Sequence, residues 1–293
     1  MEGFLQQIVS GLAAGGIYGA FALALVMTYL ATSTVNFAQG EMAMFATFVA
    51  WGLIQSGVPY WLAFFATLVL SFLGGVAIER VILRPLESAP VLSITIVTIG
   101  LLAIFNSMAG WLFGYTIRTF PSPFPQSPLK LAGVVVSPHS LGSLGVTLAL
   151  IGLLYVFFRY TSLGLAMRAA ARYPMASRLV GIRVGWMLAL GWGLAAMIGS
   201  VSGMLIAPVL FLEPNMMEGI LIYAFASATL GGFTSPAGAV VGGFLVGIIE
   251  NLSGTYIRFI GTDLKLTVAL AIIVLVLIFK PSGLFGRTQP HHT

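Results

Sequence analysis

Few side chains in this sequence can do chemistry, and most of them stand against an apolar background. Glu41 and Glu250, the latter followed by Asn251, fall in or beside long apolar runs. Ionisable residues inside a membrane bundle mark ion and proton routes, so either glutamate is a candidate for ion coupling. No aspartate precedes Asp263, however, and no basic residue stands clearly within an apolar run to pair with either carboxylate. Gly199-Ser-Val-Ser-Gly203 has the outline of a nucleophile motif. A serine nucleophile needs a base within hydrogen-bond reach. The histidines are His139, in a proline-rich stretch, and His291 and His292 at the C-terminal end. None lies in an apolar run, and no His-x-x-x-His spacing offers a metal site. Nor is there a Gly-x-x-x-x-Gly-Lys-[Ser/Thr] phosphate loop, so the chain does not drive itself with ATP through that motif. The reading is of a non-catalytic chain without metal, whose serines and glycines serve helix packing.

The background against which these groups stand decides the class. Of 293 residues, 59% are hydrophobic and 7% charged, with 35 glycines and no cysteine. A soluble domain carries about 25% charged residues. Too few charges remain to solvate a globule of this size. The net charge of +5 comes from only 13 Lys and Arg, too few for a nucleic-acid surface. Without cysteine there are no disulfides or thiolate metal sites. The fold class is therefore all-α, a polytopic transmembrane helix bundle. A crossing needs roughly 20 apolar residues. Runs of that kind are expected near 8–30, 38–55, 60–79, 91–113, 142–158, 186–211, 218–233, 237–255 and 265–280, about eight or nine spans. Runs 38–55, 218–233 and 237–255 are the ones with Gly, Pro and polar residues at their ends, as broken or re-entrant helices would have.

Charge sets the expected orientation. Arg80, Arg84, Arg159, Arg168, Arg172, Arg178, Arg183, Lys280 and Arg287 fall in three segments, and Arg118, Lys130, Arg258 and Lys265 lie between them. The richer group belongs to the cytoplasm, which puts the N-terminus outside and the C-terminus inside. No basic region precedes the first apolar run, so no cleaved signal peptide is expected. Segment 114–140, with Pro121, Pro123, Pro125, Pro128 and Pro138, reads as an extended external loop. Glycines at four-residue spacing (Gly11, Gly15 and Gly19; Gly199 and Gly203; Gly238 and Gly242; Gly243 and Gly247) mark close helix contacts, with packing inside one bundle favoured over a subunit interface.

Three segments carry the functional candidates. In Asn36-Phe-Ala-Gln39-Gly40-Glu41 a polar break precedes an apolar helix. A carboxylate deep in a bilayer costs about 2.5–3.5 kcal/mol on insertion scales, so Glu41 should face protein, water or the boundary. It either caps the new helix, whose N-terminus favours an anion, or lines a pathway. In Gly231-Gly232-Phe-Thr234-Ser235-Pro236-Ala-Gly238, Gly and Pro interrupt the helix, and Thr234 or Ser235 can cap the one resuming at Pro236. Broken helices point to a transport pathway; a plain turn between two spans fits equally. Uncharged polar residues within runs, Thr95, Thr98, Asn106, Ser200, Ser202 and Thr229, either line such a path or bond neighbouring helices. In segment 160–185, Ala169 to Ala171 favour helix, Arg168 and Arg172 share a face, and Pro174 starts a second short helix ending near Gly181. Two short basic helices of this kind suit docking.

These segments also carry a family resemblance. Asn36-Phe-Ala-Gln-Gly-Glu41, Ile78-Glu-Arg-Val-Ile-Leu-Arg-Pro85, Gly164-Leu-Ala-Met-Arg-Ala169, Ala176-Ser-Arg-Leu-Val-Gly-Ile182, Leu230-Gly-Gly-Phe-Thr-Ser-Pro-Ala-Gly-Ala239 and Lys280-Pro-Ser-Gly-Leu-Phe-Gly286 occur in order. The set resembles the permease subunits of branched-chain amino acid ABC importers, the LivH type, from about residue 5 to 287. The sequence departs from the family at Arg172 and Tyr173, where acidic or amide residues commonly stand; if that pair helps to choose the ATPase partner, the preference here differs from the family's. The resemblance implies a single transmembrane permease domain over 1–293 in a bacterial inner membrane, forming half of a pore. Its implied partners are a second, LivM-like permease, two cytoplasmic ATPases holding ATP and magnesium, and an external solute-binding protein. It further implies that coupling helices in 160–185 seat in the ATPases through Arg168, Ala171, Arg172, Ala176 and Gly181. Similar permeases pass urea, amides and other small polar solutes. An ion-coupled secondary transporter of small polar solutes is the alternative, and a passive channel would leave the basic docking loop without a purpose.

Overall fold

The computed structural model describes residues 2–87, 89–125, 127–131, 134–261 and 264–286. Asp263, Arg287, His291 and His292 lie outside the described residues. The regular elements of the described chain are helices and one two-stranded ribbon. In order come α1 (Glu2–Thr32), α2 (Gln39–Gln55), α3 (Tyr60–Ile78), α4 (Val91–Phe113), β1 (Leu129–Leu131), β2 (Val134–Val136), α5 (Pro138–Tyr160), α6 (Ser162–Arg172), α7 (Pro174–Leu179), α8 (Val184–Leu210), α9 (Glu218–Gly231), α10 (Pro236–Tyr256) and α11 (Lys265–Phe279). A π-helical turn (Glu79–Leu83) and a 3-10 turn (Arg84–Leu86) extend α3.

Every expected run is a helix, and α4 has the expected bounds. Lengths differ. Six helices among the described residues are long and apolar enough to cross a membrane: Gly3–Thr32, Tyr60–Leu86, Val91–Phe113, Pro138–Tyr160, Val184–Leu210 and Pro236–Tyr256. The run 237–255, not expected to be a clear full crossing, reaches that length, whereas 265–280 falls short as the 15-residue α11. Pro281 follows Lys280, whose φ of −150° and ψ of 73° lie outside the helical region that proline disfavours in the residue before it, and the helix stops there. Helix α9 is also shorter, with 14 residues. The loop 114–140 is shorter than expected at its C-terminal end, because Pro138 opens α5; proline suits a first helical turn, where its missing N–H is no loss. The ribbon within it pairs Leu129 with Val136 and Leu131 with Val134.

The chain divides into two compact units, one of residues 1–26, 124–147 and 219–293, the other of 27–123 and 148–218. In the first, α1 and α10 meet backbone to backbone. A methyl group on Gly11 would stand 2.9 Å from the Gly247 carbonyl oxygen, one on Gly15 2.7 Å from that of Gly243, and one on Gly19 2.9 Å from that of Val240. The glycine spacing thus serves close packing within the chain, as helices without a hydrophobic drive in lipid require.

In the second unit α8 is the buried centre, packed by α2, α3 and α6. Gly75 of α3 lies against α8, where a Cβ would stand 2.6 Å from the Trp192 carbonyl oxygen and 2.8 Å from the Ala196 methyl. Gly203 of α8 faces α2, 2.9 Å from the Ala43 carbonyl oxygen by the same measure. Ala38, Met42, Leu101 and Ala196 form one core cluster, and Leu83, Ile94 and Trp192 another.

Candidate functional site

The segment before α2 is a helix break within the second unit. Helix α1 ends where Ser33 takes the left-handed conformation (φ 56°), uncommon for a side-chain-bearing residue. Asn36 then turns the chain: its Oδ1 accepts from the Ala38 N–H at 3.1 Å and its Nδ2 donates to Gln39 Oε1 at 3.0 Å. Gln39 Nε2 donates in turn to the Ala195 carbonyl at 2.9 Å. Asn36 and Gln39 are fully buried, so the break is held by internal bonds in place of water. Ala195 lies about 16 Å along α8 at 1.5 Å per residue. Helix α2 therefore starts beside the middle of α8 rather than beside its end.

Glu41, in the first turn of α2, is 4% exposed. No side chain caps α2. The Glu41 carboxylate instead accepts from Asn106 Nδ2 of α4 at 3.3 Å. The same nitrogen stands 3.2 Å from the Pro214 carbonyl oxygen and 3.0 Å from Asn215 Oδ1. The structure thus brings Asn36, Gln39, Gly40 and Glu41 together and adds Asn106, Pro214 and Asn215. Of the uncharged polar candidates, Thr95, Thr98, Ser200 and Ser202 bond carbonyls of their own helices. Thr229 is buried. Asn106 alone among those with a described bond reaches another element. Its role was legible only as a polar residue within an apolar run; no spacing ties it to a glutamate 65 positions away.

The second segment forms the connection between α9 and α10 in the first unit. Gly231 and Gly238 meet backbone to backbone, and Gly232 has a φ of 103° that a side chain would strain. Ser235 caps α10, accepting from the Gly238 N–H at 3.1 Å, and Pro236 opens that helix. Thr234 is exposed. The tail segment closes over this turn: Leu284 N–H donates to the Leu230 carbonyl at 2.7 Å and Phe285 N–H to that of Gly231 at 3.1 Å. Two motifs some fifty residues apart are thereby one structure, in which the tail satisfies carbonyls that the end of α9 leaves open.

The third segment, in the second unit, folds as its sequence leads one to expect. Thr161 caps α6, accepting from Gly164 N–H at 3.0 Å. Gly164, Met167 and Ala170 are buried, while Arg168 and Arg172 are exposed and Ala171 is half-buried. The Arg172 guanidinium stands 5.6 Å over the Tyr173 ring. Pro174 opens α7; Ala176 and Gly181 (φ 83°) are exposed. Apolar side chains are exposed beside them, Met175 at 73% and Leu179 at 90%. Arg178 pairs with Glu87 at 3.0 Å, Arg84 packs on Gly185, and the Arg80 guanidinium lies 3.5 Å over the Trp186 ring. The segment is thus attached both to α8 and to the connection between α3 and α4.

One cluster the sequence reading missed involves Glu250. Tyr18 O–H donates to it at 2.9 Å, Lys265 Nζ lies 3.6 Å away, and the Tyr223 ring stacks on Tyr18 with centroids 4.7 Å apart. The partner is not a mid-span residue: Lys265 reaches Glu250 from the first position of α11. Lys265 reads as a loop charge, but its stem crosses Gly254, one turn beyond Glu250 on α10, where a Cβ would meet the Lys265 Cγ at 3.0 Å.

Known proteins resemble this chain along most of its length. The family described as branched-chain amino acid transport system / permease component matches residues 7–277. The high-affinity branched-chain amino acid transport system permease protein LivH of Salmonella typhimurium is 29% identical, over 98% of this chain and 96% of its own. The corresponding protein BraD of Pseudomonas aeruginosa is 31% identical over 98% and 97%. A probable LivH of Methanocaldococcus jannaschii is 28% identical over 90% and 87%. A chain of the solved structure of PsaBC from Streptococcus pneumoniae in complex with Fab shares the fold, with a TM-score of 0.51 at 12% identity over 95% of this chain and 92% of that one. With a match of this extent, and helices long and apolar enough to cross a membrane, the chain belongs to the family of branched-chain amino acid transport permease components, multi-pass transport subunits rather than enzymes.

Proposed function

We propose that this chain forms half of the substrate pathway of an ABC importer for branched-chain or related amino acids. A second, LivM-like permease supplies the other half, two cytoplasmic ATPases bind below, and an external solute-binding protein delivers substrate. ATP and magnesium belong to the ATPases. The whole chain acts as one permease domain of a bacterial inner membrane, with its N-terminus outside and C-terminus inside. Helices α2, α9 and α11 are counted as short crossings or re-entrant elements, bringing the spans to eight or nine. Polar breaks at Asn36–Glu41 and Gly231–Gly238 belong to the pathway. The observation that carries the reading is a membrane permease sequence with no phosphate loop that displays two short helices bearing Arg168, Arg172 and Leu179 on an exposed face. No observation favours the ion-coupled alternative.

On this reading α6 and α7 take up the closing motion of the ATPases. Their attachments at Arg178–Glu87 and Arg84–Gly185 carry it to α3, α4 and α8, and the Ala195–Gln39 bond carries it to the α2 break. The nucleotide cycle need only exceed the free-energy difference between the inward and outward states. Arg168→Glu combined with Arg172→Glu should release the ATPases from the affinity-purified complex while the second permease is retained. Retention of the ATPases by the double variant would contradict the assignment of this surface.

A further inference from the structure

The amide of Asn106 is over-subscribed. An Asn NH2 has two hydrogens, yet three acceptors converge on its nitrogen: Glu41 Oε2 at 3.3 Å, the Pro214 carbonyl oxygen at 3.2 Å and Asn215 Oδ1 at 3.0 Å. One of the three is a carboxylate oxygen. Glu41 is 4% exposed and has no Lys or Arg in an ion pair among the described residues. A nearly buried carboxyl group whose described bond is to a neutral amide has no cation beside it, so its charged form is favoured only when one arrives. The group that fits three acceptors, one of them anionic, is one with three N–H donors and a positive charge.

We propose that Glu41, the Pro214 carbonyl and Asn215 form a recognition site for a primary ammonium group, which the Asn106 amide occupies when the site is empty. This rests on the importer reading and specifies it: the ammonium is that of the transported amino acid. Asn215 is exposed, Asn106 half-buried and Glu41 buried, so the site runs inward from the surface of its unit. An arriving ammonium displaces the Asn106 side chain and donates one hydrogen to each acceptor. An ion-paired ammonium bond to Glu41 is stronger than the bond from an uncharged amide that it replaces. The carbonyl of Pro214 needs no side chain, so the site depends on Glu41 and Asn215 for its chemistry and on Asn106 for its resting state.

The test uses the assembled importer in proteoliposomes with its binding protein. Two readouts are taken: uptake of labelled L-leucine, and protection of the complex from thermal unfolding by 3-methylbutylamine, which has the ammonium and an apolar tail without a carboxylate. Wild type should be protected by the amine and not by 4-methylpentanoate. Glu41→Gln, which keeps the shape and removes the charge, should lose that protection and take up leucine about tenfold or more slowly, the factor a lost charge-assisted bond implies. Should Glu41→Gln fail to assemble, Asn215→Ala, at the exposed end, should weaken protection in the same direction. Amine protection that survives in the assembled variants, or that is absent from wild type, would overturn the proposal even where uptake falls, since a purely structural role moves uptake but not amine dependence. A wild-type chain that binds no ATPase would instead overturn the importer reading.

Discussion

Lys265 and Glu250 illustrate how a single residue's cost depends on its neighbour. With Lys265 Nζ 3.6 Å from the carboxylate and Tyr18 donating at 2.9 Å, the nearly buried Glu250 is supplied with partners. Removing one member of a buried pair strands the other, which costs more than replacing both. Lys265→Met should therefore lower the midpoint of thermal unfolding in detergent by several degrees, and Glu250→Gln added to it should recover part of the loss. Equal losses for the single and double variants would remove the pair from the account. Sequence shows both residues but not the pairing, because the Lys265 stem reaches Glu250 only by crossing Gly254. Gly254→Ala should accordingly reproduce part of the Lys265→Met effect in the same unfolding measurement, although it changes no charge.

Among the elements, α3 offers a direct comparison between adjacent glycines. Gly75 is buried against α8, where an added methyl would stand 2.6 Å from the Trp192 carbonyl oxygen, whereas a methyl on Gly74 would meet nothing within 4 Å. Gly75→Ala should destabilise by about 1–3 kcal/mol through overpacking. Gly74→Ala should be neutral or gain up to about 1 kcal/mol from helix propensity. Unfolding by scanning fluorimetry in one detergent reads both; equal behaviour would contradict the α3–α8 packing. The helices themselves were legible because apolar runs between Gly and Pro fix them closely, as at 91–113. The short basic helices of 160–185 were legible for the same reason, since Pro174 and Gly181 punctuate them. Depth and length were less so. That α2 starts beside Ala195 follows from the tertiary bond of Gln39, whose amide Asn36 holds in turn, and the tail closing on Leu230 and Gly231 joins motifs that no local pattern connects.

For the whole molecule, function depends on which side of the membrane each segment faces and on what meets the α6–α7 surface. The chain has no cysteine, so single-cysteine variants report on one position at a time. Met175→Cys should react with an impermeant maleimide in inside-out vesicles and not in intact cells, whereas Phe259→Cys, at 86% exposure in the loop before α11, should react from the outside. The reverse pattern would invert the proposed orientation. The most direct measurement is a crosslink at Leu179, 90% exposed on α7. Leu179→Cys is labelled with a short photoreactive maleimide in native membranes, irradiated, and its adducts identified by mass spectrometry. An importer permease predicts a dominant adduct with a protein carrying a Walker nucleotide-binding motif; efficient labelling of Leu179→Cys with no such adduct would contradict the assignment of this chain to an ATP-driven importer.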